Sequence, residues 1–534
     1  MNLPLLLDIG IGLFVIYVTF SLLASEFQEL LTTLLQWRAQ HLKQSIETLL
    51  AGESKPELGQ SAAEIQQIQT QLKASKELAD RLYNHALIRS LEHESKGLLG
   101  SIAERVSQWT SASKTFAGKA SGPSYLPSET FSTALLETLK IGALTQAITQ
   151  RKFIQLIVTK VVQPIFDVIS ALRHHNANEL LLEPELQAFQ TEIKAIEQTL
   201  SHQPELDSIP LSQVAGVVNR LLTNVKAVLP ESDPLSQGYV QQLTAIEQQV
   251  STLEKEAEPN FIEVMSSFKT LTWVAQSLQP SNNFDQAMLD QIPDSALQQR
   301  FQAGYDLLQA TKQVIKVADQ GQDDFQAMLT QLSPHLRDSL EMLAKRAQTK
   351  IPPFEQGTNQ LAQEVAIWFD RSMERSAGVY KRNAKGVAML IGLVIAVTTN
   401  TDTLHIINRL AQDSALRAAY SQAASTLVST NPNAIVCLQA QTDQASQIAC
   451  LNNNAVNLRV ALDRTTALPI GWNATNWQEQ WQLHPQGRLI ASLKLLIGWL
   501  VSAIALSMGA PFWFNVLNKI VNVRNSGKPP ASTS

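Results

Sequence analysis

Apolar residues fall along this chain in two kinds of pattern. Three stretches are apolar almost without interruption, Leu3–Ser25, Gly386–Thr399 and Leu489–Leu517; elsewhere apolar residues recur at spacings of three and four. A helix rises ~1.5 Å per residue, so about 20 apolar residues cross the hydrocarbon core of a bilayer. The first stretch holds a single charge, Asp8, and its helical pattern runs on past Glu26 through Leu30, Leu31, Leu34 and Leu35. It has no basic leader and too long an apolar run for a signal peptide, so it reads as a retained anchor. The middle stretch is short. It reaches spanning length only by continuing through Asn400, Thr401, Asp402 and Thr403 to Leu404, Ile406 and Ile407. It reads as a second span, with a re-entrant or interfacial helix as the competing reading. The last stretch reads as a third span, in which Lys494 lies one turn from the outer edge and can snorkel.

The intervening polar chain reads as helices. Ile65, Ile68, Leu72, Ser75, Ala79 and Leu82 make one apolar seam. The Ser/Gly/Pro-rich stretch from Ser107 to Ser128 reads as a loop. A helix follows it with Phe131, Leu135, Leu136 and Leu139, and residues 145–172 continue helical. From Asn176 to Pro352 the chain is rich in Gln, with Glu and Leu at helical spacing and breaks at Pro204, Pro210, Pro230 and Pro280. The predicted fold is all-α: three transmembrane helices, a large cytoplasmic helical bundle or coiled-coil-like region, and a small helical extracytoplasmic loop domain. Its expected divisions are 1–50 (first span and extension), 51–365 (cytoplasmic helices, with a variable insertion at about 140–360), 366–408 (amphipathic lead-in helix and second span), 409–488 (outer loop) and 489–534 (third span and basic tail).

Charge sets the orientation. With 42 basic and 47 acidic residues the net charge of −5 is mild, and no nucleic-acid footprint shows. Residues 1–37 contain no Lys or Arg, whereas Arg371, Arg375, Lys381, Arg382 and Lys385 crowd the approach to the second span. Only Arg409 and Arg417 lie just beyond it. The excess of basic residues on one side puts residues 26–385 and the C-terminal tail in the cytoplasm and residues 401–488 outside. The two cysteines, Cys437 and Cys450, both fall in that outer loop. An even count on an oxidising face points to a disulfide; the alternative is two buried free thiols in a reducing compartment.

Six blocks carry a resemblance: LLDIGIGLFVIYVTFSLLASEFQELL (6–31), LYNHALIRSL (82–91), PSYLPSETFSTALLETL (123–139), WFDRSMERSAGVYKR (368–382), IGLVIAVTTNTDTLHI (391–406) and GAPFWFNVLNKIVNVR (509–524). In these blocks and their order the chain resembles a family of bacterial integral membrane proteins of uncharacterised function, with an N-terminal anchor and a C-terminal GAPFWF-type membrane segment. The resemblance implies the three-span architecture. It brings no activity, and so no catalytic residues.

Candidate chemistry is sparse. Asp8, Asn400 and Asp402 fall at the outer ends of the first two spans, where they form a candidate polar site for an ion or a proton. The plainer reading, solvated residues that position helix ends, is favoured because each lies within about two turns of a span end. Glu26 and Glu29 can pair with Lys381, Arg382 and Lys385 at the inner ends. Gly509-Ala-Pro-Phe-Trp-Phe514 bends or ends a helix, because Pro511 lacks a donor and clashes with the preceding turn. Phe512, Trp513 and Phe514 then read as a membrane-interface anchor, with Lys519 and Arg524 reaching anionic lipid; docking of a partner is the alternative. No metal, cofactor or nucleophile pattern accompanies the scattered histidines. The expectation is a non-enzymatic protein of the bacterial inner or another internal membrane, without cofactor. It would act as a membrane-anchored helical scaffold whose partners are the bilayer, other proteins reached through the cytoplasmic helices and further copies of itself, with no nucleic acid. The alternative is an oligomeric transport or channel component using the polar groups near the outer face.

Overall fold

The computed structural model describes residues 3–34, 37–52, 61–91, 122–202, 211–229, 233–278, 294–318, 325–350, 359–430, 469–482 and 488–526. Among them every regular element is a helix, so the all-α class holds. Two compact units share the chain: described residues up to Arg38 and from Arg375 onward form one, and those from Ala39 to Glu374 the other. The units divide at residues 38 and 374. Ala39, Ile46, Leu49, Leu50 and Phe369 belong to the core of the second unit, which keeps both stretches with it. Cys437 and Cys450 lie outside the described residues.

The second unit is built on two apolar clusters, one holding Leu82, Phe131, Phe268 and Leu340, the other Phe153, Phe189, Leu221 and Leu253. The seam expected from Ile65 to Leu82 is buried only in its later part. Ser75, Ala79 and Leu82 are enclosed while Leu72 is 40% exposed. A capping box of Ser61 and Glu64 starts that helix by satisfying two orphan amide groups. Residues 141–175 form one long apolar helical run, long enough to cross a membrane by length and composition. Its apolar residues Phe153, Ile157, Val161 and Ile165 lie inside the second cluster, and Lys152, Lys160 and Arg173 pair with Glu263, Glu256 and Glu183 of neighbouring helices. That run is therefore a spine of this unit. It widens to a π-helical turn at Ile157–Val162, where Gln163 N–H donates to Val158 O, just ahead of Pro164. The wider turn accommodates a proline that has no amide to give and would crowd the preceding carbonyls.

Charged groups also close this unit. Glu364 is fully buried between Arg346 and Lys350, and Lys43 is fully buried against Asp80. Glu341 accepts from Lys269 and Lys345, each at 2.8 Å, and these two bonds hold its carboxyl down at about 2, against an ordinary 4.5. A carboxyl lowered on folding stabilises fully above its unfolded value, and that contribution is lost as the pH falls through the folded one. Glu341→Gln should thus lower thermal stability at pH 7. Followed by circular dichroism, the gap to the parent protein should shrink as the pH falls from 4.5 towards 2.

The first unit contains seven helices used below: α1 (Leu3–Leu34), α2 (Asn359–Thr398, from Arg375 on), α3 (Thr403–Gln412), α4 (Ser414–Thr430), α5 (Ala474–Gln482), α6 (Arg488–Ser507) and α7 (Ala510–Ser526). Helix α1 is central and packs on α3, α4, α6 and α7. Its Ile11, Val15 and Ile16 share a core with Ile406, Leu410, Tyr420 and Leu517. Gly12 admits this packing, since a Cβ there would meet Leu410 at 3.0 Å. Gly392 does the same for α2 and α6, with Ala503 O only 2.7 Å from where its Cβ would be. Small residues of this kind let helix backbones approach closely.

One face of this unit is exposed and apolar. Along α6, Leu489, Leu493, Leu496, Leu500 and Ile504 are exposed at helical spacing, followed by Met508 just past its end and joined by Leu390 and Val394 of α2 and Leu404 and Ile407 of α3. So continuous an apolar face suits hydrocarbon rather than water. The spans Leu5–Thr32 and Leu489–Ser507 each have a mean hydropathy of 2.2. With the 141–175 run, three helices are long and apolar enough to cross a membrane, and these two carry the membrane assignment of the first unit. Where the second span was expected stands a bent pair, α2 and α3 meeting at 52°, the shape of a broken span or of a re-entrant loop.

At the other end, Gly509 takes a left-handed backbone (φ +82°) and stops α6. Leu506 O accepts from Ser21, but Trp513 lies against Phe14 and Tyr17, so the chain has turned back along α1. Helix α7 occupies the place where the start of a cytoplasmic tail was expected. Phe514 is buried, and Trp513 is stacked on Phe14 and donates to Ala505 O. Of the expected anchor residues Phe512 and Lys519 face outward, while Arg524 lies on α7. Turning the chain at Gly509 puts one face of the aromatic triplet on α1 in place of the headgroups. Glu29 pairs with Arg38.

Candidate functional site

The break between α2 and α3 is written in its own residues. The hydroxyls of Thr398 and Thr399 fold back onto Val394 O and Ile395 O, 2.8 and 2.7 Å away. Asn400 then adopts a left-handed backbone (φ +47°), which Asn tolerates better than most residues. Thr401 N–H donates to Ala396 O and Asn400 N–H to Val397 O, the paired bonds of a Schellman cap with Asn400 at the first position past the helix. Two residues later the Asp402 carboxylate accepts from Leu404 N–H and starts α3.

A break inside an apolar span frees backbone carbonyls that must find donors. Residues 469–482 supply them. The Trp472 indole donates to Val397 O and Thr398 O, both at 3.0 Å, and Gly471 N–H donates to Thr399 O. Asn400 is fully buried, and its side chain satisfies all four of its bonding positions. Its oxygen accepts from Trp499 and Gln480, and its amide nitrogen donates to Gly471 O and to Gln480 Oε1. Trp472 touches Trp477 and Trp499, and Trp477 touches Trp481, with ring centres 5.3–5.8 Å apart.

Three hydroxyls from three helices form a second layer. Thr403 Oγ1 lies 2.8 Å from the Tyr17 hydroxyl and 2.7 Å from Ser502 Oγ. The Asp402 carboxylate is pressed against Gly498, where a Cβ would come within 1.7 Å of Oδ1. Gly498 is the midpoint of the apolar helical stretch Leu489–Ser507, so Asp402 packs against the middle of that helix. One turn along α3 is His405, buried, with Nε2 3.5 Å from Asn476 Oδ1 and 4.0 Å from Glu479 Oε2. Arg409 closes the series with a 3.0 Å pair to Glu479.

Two of the three expected polar residues, Asn400 and Asp402, therefore meet in one site. The α1 residue that reaches them is Tyr17, nine positions and about 13 Å along the helix from Asp8. Tyr17, Gly498, Ser502, Trp472, Trp499, Gln480, His405 and Glu479 escaped the sequence reading, because they come from four separate segments. The signal present was local: an Asn and an Asp two apart, among threonines, in the middle of an apolar run. Among the described residues no group of His, Cys, Asp and Glu is placed to hold a metal ion.

No family model, no curated protein and no solved structure matches the chain.

Proposed function

We propose that this protein is a membrane anchor that displays a helical interaction platform. The observation that carries the reading is the pairing, in one chain, of a unit with an apolar outer face and a separate unit with its own two-cluster core. The second unit does not need its exposed faces to fold, and amphipathic helices of this kind suit recognition by other helices. Leu180, Met342, Leu235 and Tyr125 are exposed on it. An open groove of about 340 Å³ is lined by Gln71, Lys73, Ala74, Glu77, Leu332 and Pro334, among others. The basic cluster from Arg371 to Lys385 favours a cytoplasmic position for this unit. Photo-crosslinking residues placed at Gln71 and at Met342 of the full-length protein in its native membrane test the reading. The expected result is a discrete adduct with a second polypeptide, either another protein or another copy of this chain. A bare monomer at both positions contradicts it.

The broken span favours a second reading, transport. Discontinuous helices meeting near the membrane midplane are a recurring frame for ion and substrate sites, and Asp402 is a carboxylate at such a joint. On this reading, flux into liposomes disappears in Asp402→Asn while insertion is retained.

A further inference from the structure

His405 makes contacts that leave one of its two nitrogens unused. Nε2 faces the Asn476 side-chain oxygen, an acceptor, so the ring proton of the neutral imidazole belongs on Nε2. Nδ1 is then a bare lone pair, and it is buried with no hydrogen-bond partner among the described residues. The side chain is only 2% exposed. A buried acceptor left without a donor is costly and calls for an explanation.

The charges around the ring supply one. Asp402 lies one turn before it on α3, with the Leu404 N–H donating to its carboxylate and, among the described residues, no ion pair to a cation. From α5 comes Glu479, 4.0 Å from Nε2, and Glu479 is paired with Arg409. From α1 comes the neutral Tyr17, and from α6 the uncharged Gly498 and Ser502. Arg417 of α4 is turned onto Leu410 O and Ala411 O. With a neutral ring, Asp402, Glu479 and Arg409 leave one negative charge uncompensated in an apolar surround. One proton cancels it.

We propose that Asp402 and His405 form a proton-binding site at the joint of the broken span, taking up one proton on His405 Nδ1. The site goes beyond the platform reading and does not depend on it. Proton uptake moves the joint from net −1 to neutral and lets the imidazolium interact with Glu479 and Asp402 together. Histidine is suited to this because its charge changes between about pH 5 and 8.

The test is a pH titration of the histidine ring resonances of the isotopically labelled full-length protein in lipid nanodiscs. The chain has nine histidines, so the resonance missing in His405→Gln identifies this one, and the other eight, unmoved, report an intact fold. Gln is chosen because its amide can still donate to Asn476. The expected result is a single-proton transition of the His405 resonance between about pH 5 and 8. Asp402→Asn keeps the helix cap but removes the charge, and should lower the midpoint by about one pH unit, a tenfold weaker proton affinity. Glu479→Gln should lower it as well. A His405 resonance that stays neutral to pH 4.5, or a midpoint unmoved in Asp402→Asn, overturns the proposal. If His405→Gln disturbs the other eight resonances, the Asp402→Asn and Glu479→Gln shifts decide alone.

Discussion

Asn400→Ala is expected to destabilise the membrane unit by about 3–6 kcal/mol, the largest effect of any single substitution argued from this structure. Two costs combine. A left-handed backbone is worth roughly 1–2 kcal/mol against alanine and less against asparagine, and Asn400 stands at φ +47°. Each buried donor or acceptor left without a partner costs about 1–3 kcal/mol, and the substitution strands the Trp499 indole and the Gln480 amide. Asn400→Gly separates the two costs, since glycine adopts this backbone freely. It should regain about 1 kcal/mol over alanine and no more. Unfolding in a graded series of mixed detergents measures both. An alanine variant within about 0.5 kcal/mol of the parent, the usual range for an uncritical surface change, would show that the cap and its bonds do not hold the joint.

Gly498→Ala should cost nearly as much. The new methyl group would sit 1.7 Å from Asp402 Oδ1, so the carboxylate must leave its place. Overpacking of this kind costs typically 1–3 kcal/mol, and loss of the cap on Leu404 adds ~1 kcal/mol. The pairing makes a rescue possible. Serine caps a helix about as well as aspartate and is shorter, so Asp402→Ser should do little alone and should restore most of the stability lost in Gly498→Ala. If the double variant is no better than Gly498→Ala, the close contact between α3 and α6 is not what the glycine serves.

The long patterns in this sequence were legible and the joint was not. Leu5–Thr32 and Leu489–Ser507 announce themselves by unbroken apolarity, and the amphipathic helices of the second unit by their three-and-four spacing. Residues 398–403 lie between two such patterns. Continuing the helix through them reached the required span length, yet Asn400 and Asp402 are residues that end and begin helices. Reading them as caps, instead of as polar residues within one helix, gives the bent pair directly. The site around the joint was beyond reach for a different reason. Tyr17, Gly498, Ser502 and Trp499 fit an apolar span pattern equally well in any rotation, so nothing in their spacing shows which of them faces Asp402. The aromatic triplet after Gly509 illustrates the same limit. The break was expected from Gly509 and Pro511, but the direction taken afterwards depends on Trp513 finding Phe14 and Tyr17 on a helix nearly five hundred residues away.

The central claim is that the α2–α3 joint lies at the middle depth of the membrane, level with Gly498. A depth profile along the exposed face of α6 tests it most directly. Nitroxide labels on single cysteines at Leu489, Leu493, Leu496, Leu500, Ile504 and Met508, in a Cys437→Ser/Cys450→Ser background in liposomes, report collision with oxygen against a water-soluble nickel complex. The account predicts that oxygen dominates most at Leu496 and Leu500, on either side of Gly498, and falls away towards Leu489 and Met508. A profile that changes steadily from one end to the other, or nickel access at Leu496 and Leu500, would contradict it.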